Sequence, residues 1–473
     1  MTRTSVARPV LAWLLVGAIL AAAFVVALYR EPLAASAGLA RDGAPSTAPP
    51  SLFAPPPSPE PQLGDAGLAG AATPAVPGVV PGRPALDARI AALGRAELVG
   101  VDGAAAQVAW HAVDVATGDV VASSGADALL IPASNTKTLT TVAVMNVFSG
   151  EERFATTVVQ PEPGRIVLVG GGDPLLAAEP AAPDAYPRPA SLRELAAVTA
   201  ATLLAGGQTS VTLGVDAGLF PGPGWNDVWP ANYRDQVTEL SALWADERRT
   251  GGGRSRTAAL DAAALFAAQL AEAGVAVVGP PVAAARSGAE IARVESLPVH
   301  VLVETAMQRS NNSFTEVLGL QLALATGRPA TFAGAVAAIE EQLTALGLWD
   351  AGAVLTDASG LSRSNRVTAR MLADAVRRMQ TDPRLSVILD GLPTAGVTGT
   401  LADRFTDAVA EPARGVVRAK TGTLSLVASL AGTTQTADDR ELAFAVVVNG
   451  APNGWAAKVW TDQVAGVIAS CGC

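Results

Sequence analysis

Three runs near the C-terminus constrain the fold most. Residues 416–424, 426–435 and 441–449 have strand character, are separated by short turns, and are followed by a helical pattern over 456–470. Strands joined this tightly pair as antiparallel neighbours, because a parallel return needs a crossover of a dozen or more residues. The other end of the folded sequence adds a hairpin: residues 108–115, the turn Thr117-Gly118-Asp119, and residues 120–123. Helical patterns fall at 85–93, 335–346 and 369–379. The sum predicts an α+β fold, a five-stranded antiparallel sheet flanked by helices.

Directly after the hairpin comes Pro132-Ala133-Ser134-Asn135-Thr136-Lys137, opening an apolar helix that runs to Phe148 and stops at Ser149-Gly150. Residues three apart share a helix face, with Cβ atoms roughly 5–6 Å apart, so Lys137 can reach the Ser134 hydroxyl. A serine is a weak nucleophile without a base. A lysine buried by an apolar helix can lose its proton near neutral pH and serve as one. The helix start also turns its N–H groups towards developing negative charge. Ser-x-x-Lys is short, and it gains weight from scarcity: the chain has only three lysines, Lys137, Lys420 and Lys458.

Lys420-Thr421-Gly422-Thr423 lies on the first of the late strands. There a cation and two hydroxyls can face a substrate carboxylate, and Gly422 lets the backbone approach closely. Ser310-Asn311-Asn312 interrupts a helical stretch over 297–324 and contains the only Ser-x-Asn of the chain. Ser310 can relay a proton between Lys137 and a leaving amine, and Asn312 can hydrogen-bond a substrate amide. Ser-x-x-Lys, Ser-x-Asn and Lys-Thr-Gly, in this order, form a recognised active-site-serine signature.

The rest of the chain sets the frame. Its 473 residues exceed one small core. Arg3 and Arg8 precede an uncharged run over 10–29, long enough for one membrane span, and Arg30 follows. We expect an anchor with residues 1–9 cytoplasmic and the bulk outside, or a secreted protein if the segment is cleaved near Ala35-Ser36-Ala37. Residues 31–84 are rich in Pro, Ala, Gly and Ser and read as a linker. From 151 to 293 short strand-like pieces alternate with loops, apart from a helix over 260–273. This region reads as an inserted, mostly-β domain within a catalytic domain of 85–150 and 294–473. Gly170-Gly171-Gly172-Asp173-Pro174 lacks the Lys-Ser/Thr of a phosphate loop and reads as a tight turn. Trp225, Trp229 and Tyr233 read as a packed loop. Net charge is −10 with no basic stretch, so no nucleic-acid partner is indicated. Two histidines and two cysteines leave no spaced metal site. Cys471 and Cys473 read as free thiols or an intermolecular contact, since a bridge within Cys-Gly-Cys is strained.

With these motifs in hand, the chain resembles the low-molecular-mass class C penicillin-binding proteins, the serine-type D-alanyl-D-alanine carboxypeptidases/endopeptidases, from about residue 85 to 470. The Gly170–Pro174 stretch, Glu316, Asp357-Ala358-Ser359-Gly360-Leu361-Ser362-Arg363, Leu392-Pro393-Thr394-Ala395-Gly396 and Gly399-Thr400-Leu401 fall in family order. Asn311 departs from the usual Asp, Ala358 from the usual Gly, and Thr398 stands where a charge is common.

The resemblance implies that Ser134 attacks the carbonyl between two D-alanines of a peptidoglycan stem peptide and forms an acyl-enzyme. Lys137 takes the proton and Ser310 passes it to the departing D-alanine. Backbone N–H groups of Ser134 and Thr423 hold the oxyanion. Lys420, Thr421 and Thr423, with Gly422 between, hold the terminal carboxylate, and Asn312 the stem amide. β-Lactams acylate the same serine, and neither a metal nor an organic cofactor is required. The alternatives are an endopeptidase of cross-linked peptidoglycan, a β-lactamase-like hydrolase and a non-catalytic cell-wall scaffold; oligomeric state stays open.

Overall fold

The computed structural model describes residues 83–100, 103–250 and 253–472. The expected anchor and linker lie outside these residues, except for the linker's last two positions. Among the described residues no helix is long and apolar enough to cross a membrane.

Helix α1 (Arg83–Ala91) opens the folded chain, followed by strands β1 (Gln107–Asp114) and β2 (Val120–Ser124). A 3₁₀ turn, Ala133–Asn135, leads into α2 (Thr136–Val147), which is buried over Thr136 to Met145. The chain then leaves the first sheet for a second, built from β3 (Ala155–Glu162), β4 (Arg165–Val169), β5 (Ser210–Asp216), β6 (Ala276–Val277), β7 (Val282–Ala283) and β8 (Ala289–Glu295). Helix α3 (Leu192–Ala205) connects β4 to β5, and α4 (Ala258–Glu272) connects β5 to β6. These connections are crossovers, so β5 pairs in parallel with β4, β6 and β7, while β3 is antiparallel to β4 and β8. The region thus carries two long helices besides its strands. A capping box starts α3: Ser191 Oγ accepts from Glu194 N at 3.2 Å, and Glu194 reaches back to Ser191 N at 3.0 Å.

The chain returns through α5 (Val299–Arg309), α6 (Asn312–Ala325), α7 (Phe332–Ala345) and α8 (Ala369–Thr381). Strands β9 (Arg418–Leu424), β10 (Val427–Gln435) and β11 (Glu441–Asn449) follow, and α9 (Gly454–Ala469) closes. The first sheet has the order β9-β10-β11-β1-β2, all antiparallel, so the chain's two ends meet where β1 pairs β11 from Gln107↔Asn449 to Asp114↔Leu442. From Leu442 to Asn449, β11 is buried at every position. It is covered on both faces, which explains its nearly unbroken apolar run. One face packs on α2 and α8 through Leu139, Val142, Leu372 and Val376 against Ala445 and Val447. The other packs on α1 and α9 through Leu86, Ile90, Trp460 and Val464 against Phe444 and Val446. Each fully buried side chain of this size contributes about 1.5–3 kcal/mol. The sheet is therefore a rigid plate whose edge strand, β9, is presented to the turn that carries Ser134.

Cys471 follows α9, is buried, and is disulfide-bonded. The expectation of free thiols is corrected: the end of α9 packs Cys471 into the core, where its N–H bonds Ile468 O. Cys473 lies outside the described residues.

Candidate active site

Ser134 sits in the 3₁₀ turn before α2. The preceding Ala133 is left-handed, with φ 50°, and fully buried. Its carbonyl accepts the Thr136 hydroxyl at 3.0 Å. A Cβ on Gly360 would lie 1.9 Å from that carbonyl, and Gly360 has φ +86°. Only glycine lets the 357–362 loop pack beneath the serine turn.

Lys137 is fully buried one turn on. Its Nζ donates to Ser134 Oγ at 3.2 Å, Asn312 Oδ1 at 2.7 Å and the Ser359 carbonyl at 2.7 Å. Burial pulls its pKa down to about 7, against the opposing pull of Asp357 and then Glu316. Glu316, on α6, is buried and pushed up to about 8 by burial first and the neighbouring Asp357 second, while hydrogen bonds from the 358–359 backbone oppose the rise. Its Oε1 accepts the backbone N–H groups of Ala358 at 3.1 Å and Ser359 at 2.8 Å. Asp357 is held by Trp229 Nε1, the N–H groups of Gly360 and Ser362, and Asn365 Nδ2, at 2.6–2.9 Å.

Ser310 ends α5 in a left-handed conformation, φ 51°. This breaks the helix and turns residues 310–312 across the cleft. Lys420 Nζ donates to Ser310 Oγ at 2.7 Å and to the Thr421 carbonyl at 2.8 Å. Lys420 is buried, and burial followed by the charge of Lys137 holds its pKa well below the usual lysine range. Asn312 opens α6. Its Oδ1 accepts from Lys137, and its Nδ2 donates to the Gln236 carbonyl at 2.9 Å. Asn311 turns the other way: it caps α6 by accepting from Phe314 N and donates to Glu247 Oε2 at 2.8 Å.

Strand β9 passes hard against the serine turn. A Cβ on Gly422 would lie 2.1 Å from Ser429 Oγ, 2.6 Å from the Pro132 carbonyl and 3.2 Å from Ser134 N. Ser429, paired with Gly422 across β9–β10, donates to the Pro132 carbonyl at 2.6 Å and accepts from Asn135 Nδ2 at 2.8 Å. Thr421 Oγ1 lies 2.9 Å from Thr400 Oγ1. The resulting cleft, about 790 Å³, is lined by Ser134, Ser310, Asn312, Thr421 and Thr423, with Lys137 and Lys420 buried beneath. All eight residues singled out in the sequence meet here. Ser310 differs in one detail: its hydroxyl is bonded to Lys420.

The sequence profile of the D-Ala-D-Ala carboxypeptidase 3 (S13) family matches residues 98–250 and 244–470. The chain belongs to this family. A carboxypeptidase of Mycobacterium tuberculosis is 36% identical over 442 residues, covering 89% of this chain and 90% of that protein. The carboxypeptidase DacB of Mycolicibacterium smegmatis is 36% identical, covering 76% of this chain and 80% of that protein. Among solved structures, penicillin binding protein 4 of Haemophilus influenzae superposes with a TM-score of 0.64 at 19% identity, covering 76% of this chain and 95% of that one. With the motifs above, these likenesses make the chain a low-molecular-mass class C penicillin-binding protein and a serine-type D-Ala-D-Ala carboxypeptidase.

The S13 cleft holds residues that motif reading misses. Tyr233 and Gln236 reach it from the loop before α4, so Tyr233 is more than loop packing. Trp229 anchors that loop through Asp357, and Trp225 is stacked by Arg234 at 4.1 Å from the ring centroid. Asp403 and Lys458 line the cleft as well, beside Thr400 of the Gly399-Thr400-Leu401 stretch named in the sequence. Lys458 had a signal: all three lysines of the chain belong to this site.

Proposed function

We propose that Ser134 is the acylated nucleophile and Lys137 its base, in a carboxypeptidase that removes the terminal D-alanine of peptidoglycan stem peptides. The observation that carries this is the 3.2 Å contact from Lys137 Nζ to Ser134 Oγ, made by a lysine whose pKa lies at about 7. Neutral Lys137 accepts the hydroxyl proton as Ser134 Oγ bonds to the penultimate D-alanine carbonyl. Ser310 then delivers a proton to the leaving D-alanine nitrogen, with Lys420 behind it. The tetrahedral oxygen is held by the N–H groups of Ser134 and Thr423, a role supported by the close approach of β9 to Ser134 N. Thr421, Thr423 and Lys420 take the terminal carboxylate, and Gly422 keeps β9 close. Asn312 has a second amide proton and a second lone pair beyond its internal bonds, enough to hold a stem amide. Water completes the cycle by hydrolysing the acyl-enzyme.

β-Lactams present a strained amide and a carboxylate to the same groups and acylate Ser134. The apolar run at 10–29 and the linker at 31–84 support a membrane-anchored, extracytoplasmic placement, where the polymer lies. The test is labelling with a fluorescent penicillin alongside release of D-alanine from a pentapeptide ending in D-Ala-D-Ala. Wild type is labelled and releases D-alanine; Ser134→Ala does neither, and Lys137→Ala is slowed at least 10²-fold, as loss of a general base implies. A folded wild type that stays unlabelled overturns the proposal.

A further inference from the structure

Behind the catalytic cleft, on the far side of Trp455, lies a second hollow of about 420 Å³. Its walls are Trp455, Trp460, Val459 and Leu98, and Glu97 and Gln463 supply its polar groups. Trp455 lines both this hollow and the catalytic cleft. It stands in the first turn of α9, which Asn453 caps by accepting from Trp455 N and Ala456 N, each at 3.1 Å. Its backbone is therefore fixed, yet 60% of the residue is exposed. An indole on a fixed backbone and left open does little for the core.

The adjoining groups are unusual as well. Trp460 is 2% exposed, and its Nε1 has no hydrogen-bond partner among the described residues. Arg95 lies against it, 5.2 Å from the ring centroid and 5.4 Å from that of Trp110, and its Nε is likewise without a partner. Buried donors are nearly always paired in folded proteins, and each unmade bond costs about 1–3 kcal/mol. Both donors are enclosed and do not face the hollow, which is bounded by two tryptophans, a carboxylate and an amide.

We propose that this hollow receives a sugar ring of the glycan strand that carries the stem peptide. A pyranose has an apolar C–H face suited to an indole and a rim of hydroxyls that both accept and donate hydrogen bonds. An anionic ligand would meet the Glu97 carboxylate, and an aliphatic side chain would offer nothing to that carboxylate or to the Gln463 amide. A neutral, hydroxyl-rich ring satisfies both conditions. Four residues on the acyl side of the scissile bond span at most about 14 Å at 3.3–3.6 Å each, so the attached sugar lies within that reach of Ser134. The proposal rests on the peptidoglycan reading of the active site and adds where the polymer backbone is held.

The test compares kcat/KM of the full chain on a GlcNAc-MurNAc-pentapeptide and on the same pentapeptide without sugar. Wild type prefers the sugar-bearing substrate by roughly tenfold, equivalent to about 1.4 kcal/mol. Val459→Arg fills the hollow from the α9 surface and removes the preference, leaving turnover of the free peptide and penicillin labelling intact. Ala456→Gln, a milder filling, reduces the preference part-way and serves should the arginine disturb folding. Equal rates on the two substrates in wild type, or a preference that survives both variants, overturn the proposal. If neither substrate is turned over, the activity reading has failed, and direct binding decides this one: the peptide-free disaccharide quenches tryptophan fluorescence in wild type and not in Val459→Arg. No quenching in wild type rejects the site.

Discussion

Glu316 accepts the backbone N–H of Ser359 at 2.8 Å, and the carbonyl of that same Ser359 accepts a hydrogen bond from Lys137 Nζ at 2.7 Å. The carboxyl on α6 thus holds the 357–360 loop at the height where its carbonyl steadies the amine of Lys137. Glu316 touches neither Ser134 nor the open cleft. It is a positioning residue for the base, buried where a carboxyl rests most easily in its neutral form.

Replacing Glu316 by Ala leaves the N–H groups of Ala358 and Ser359 without their acceptor. At about 1–3 kcal/mol each, the expected loss of stability is about 2–6 kcal/mol, read by urea denaturation. Acylation by penicillin falls with it by roughly 10–10²-fold, because misplacing a reacting group by an ångström has that effect. Glu316→Gln keeps a carbonyl oxygen in place and recovers most of the acylation rate. Equal rates for Ala and Gln would show that the loop stands without Glu316.

Acylation should rise with pH through about 7 and level above it, because only neutral Lys137 accepts the Ser134 proton and burial sets its pKa there. Below that point the rate falls roughly tenfold per unit, as for any single essential base. Stopped-flow acylation from pH 5.5 to 9 measures it. An inflection near the ordinary lysine value would mean that Lys137 is charged at neutrality and that another group is the base.

The same groups make opposite contributions to stability. Glu316 has a raised pKa, about 8 against an ordinary 4.5, so the folded state holds a proton that the unfolded state has lost, and its contribution falls as pH rises from 4.5 to 8. Lys137 has a lowered pKa, about 7 against 10.5, so its contribution grows as pH rises from 7 to 10.5. Glu316→Gln removes the first. Its stability relative to wild type should therefore climb from pH 4.5 to 8, and a flat difference across that window would show that Glu316 is ionised throughout.

The architecture was legible where one interaction dominates a whole segment. β11 is covered on both faces, and its apolar run gave its limits directly; α2 and α9 announced themselves by long apolar patterns between clear stops. Helix α3 was missed although Ser191 and Glu194 spell its capping box, because its alanine-rich interior carries little periodic contrast. In the cleft, Ser134, Lys137, Ser310 and Lys420 were readable because their chemistry needs fixed local spacing. Tyr233 and Gln236 were not, because nothing local ties them to the site, and Lys458 was marked only by the scarcity of lysine. They arrive through the Trp229–Asp357 anchor and through the packing of α9 on the sheet.

Gly422 offers a test of how closely β9 must approach. A methyl group there would meet Ser429 Oγ at 2.1 Å and the Pro132 carbonyl at 2.6 Å, and the latter belongs to backbone that α2 holds in place. Gly422→Ala should push β9 away from the serine turn, costing about 1–3 kcal/mol as an overpacked site does. Penicillin labelling is expected to fall by more than tenfold, the scale of losing one oxyanion donor. Ser429→Gly in the same chain removes the closest clash and should restore part of the stability. Undiminished labelling of the single variant would argue against an oxyanion site between Ser134 and Thr423.

Asn311, where the family resemblance implies Asp, is matched to its surroundings by charge. Its amide accepts from Phe314 N to cap α6 and donates to Glu247 Oε2 at 2.8 Å, while Glu247 Oε1 takes Arg254 Nη1 at 3.1 Å. Asp caps a helix as well as Asn does, so capping alone predicts no effect of Asn311→Asp. The contact with Glu247 decides otherwise: the donor becomes a second carboxylate at hydrogen-bond distance from the first, in a spot where Glu247 is only 6% exposed. We expect a loss of about 1–3 kcal/mol at pH 7, the price of an unmade buried bond plus like-charge repulsion. Glu247→Gln combined with Asn311→Asp supplies a donor again and should recover most of the loss, giving a double-mutant coupling of at least about 1 kcal/mol. Additive effects of the two changes would dissociate Asn311 from Glu247 and leave the departure from Asp without a structural cause.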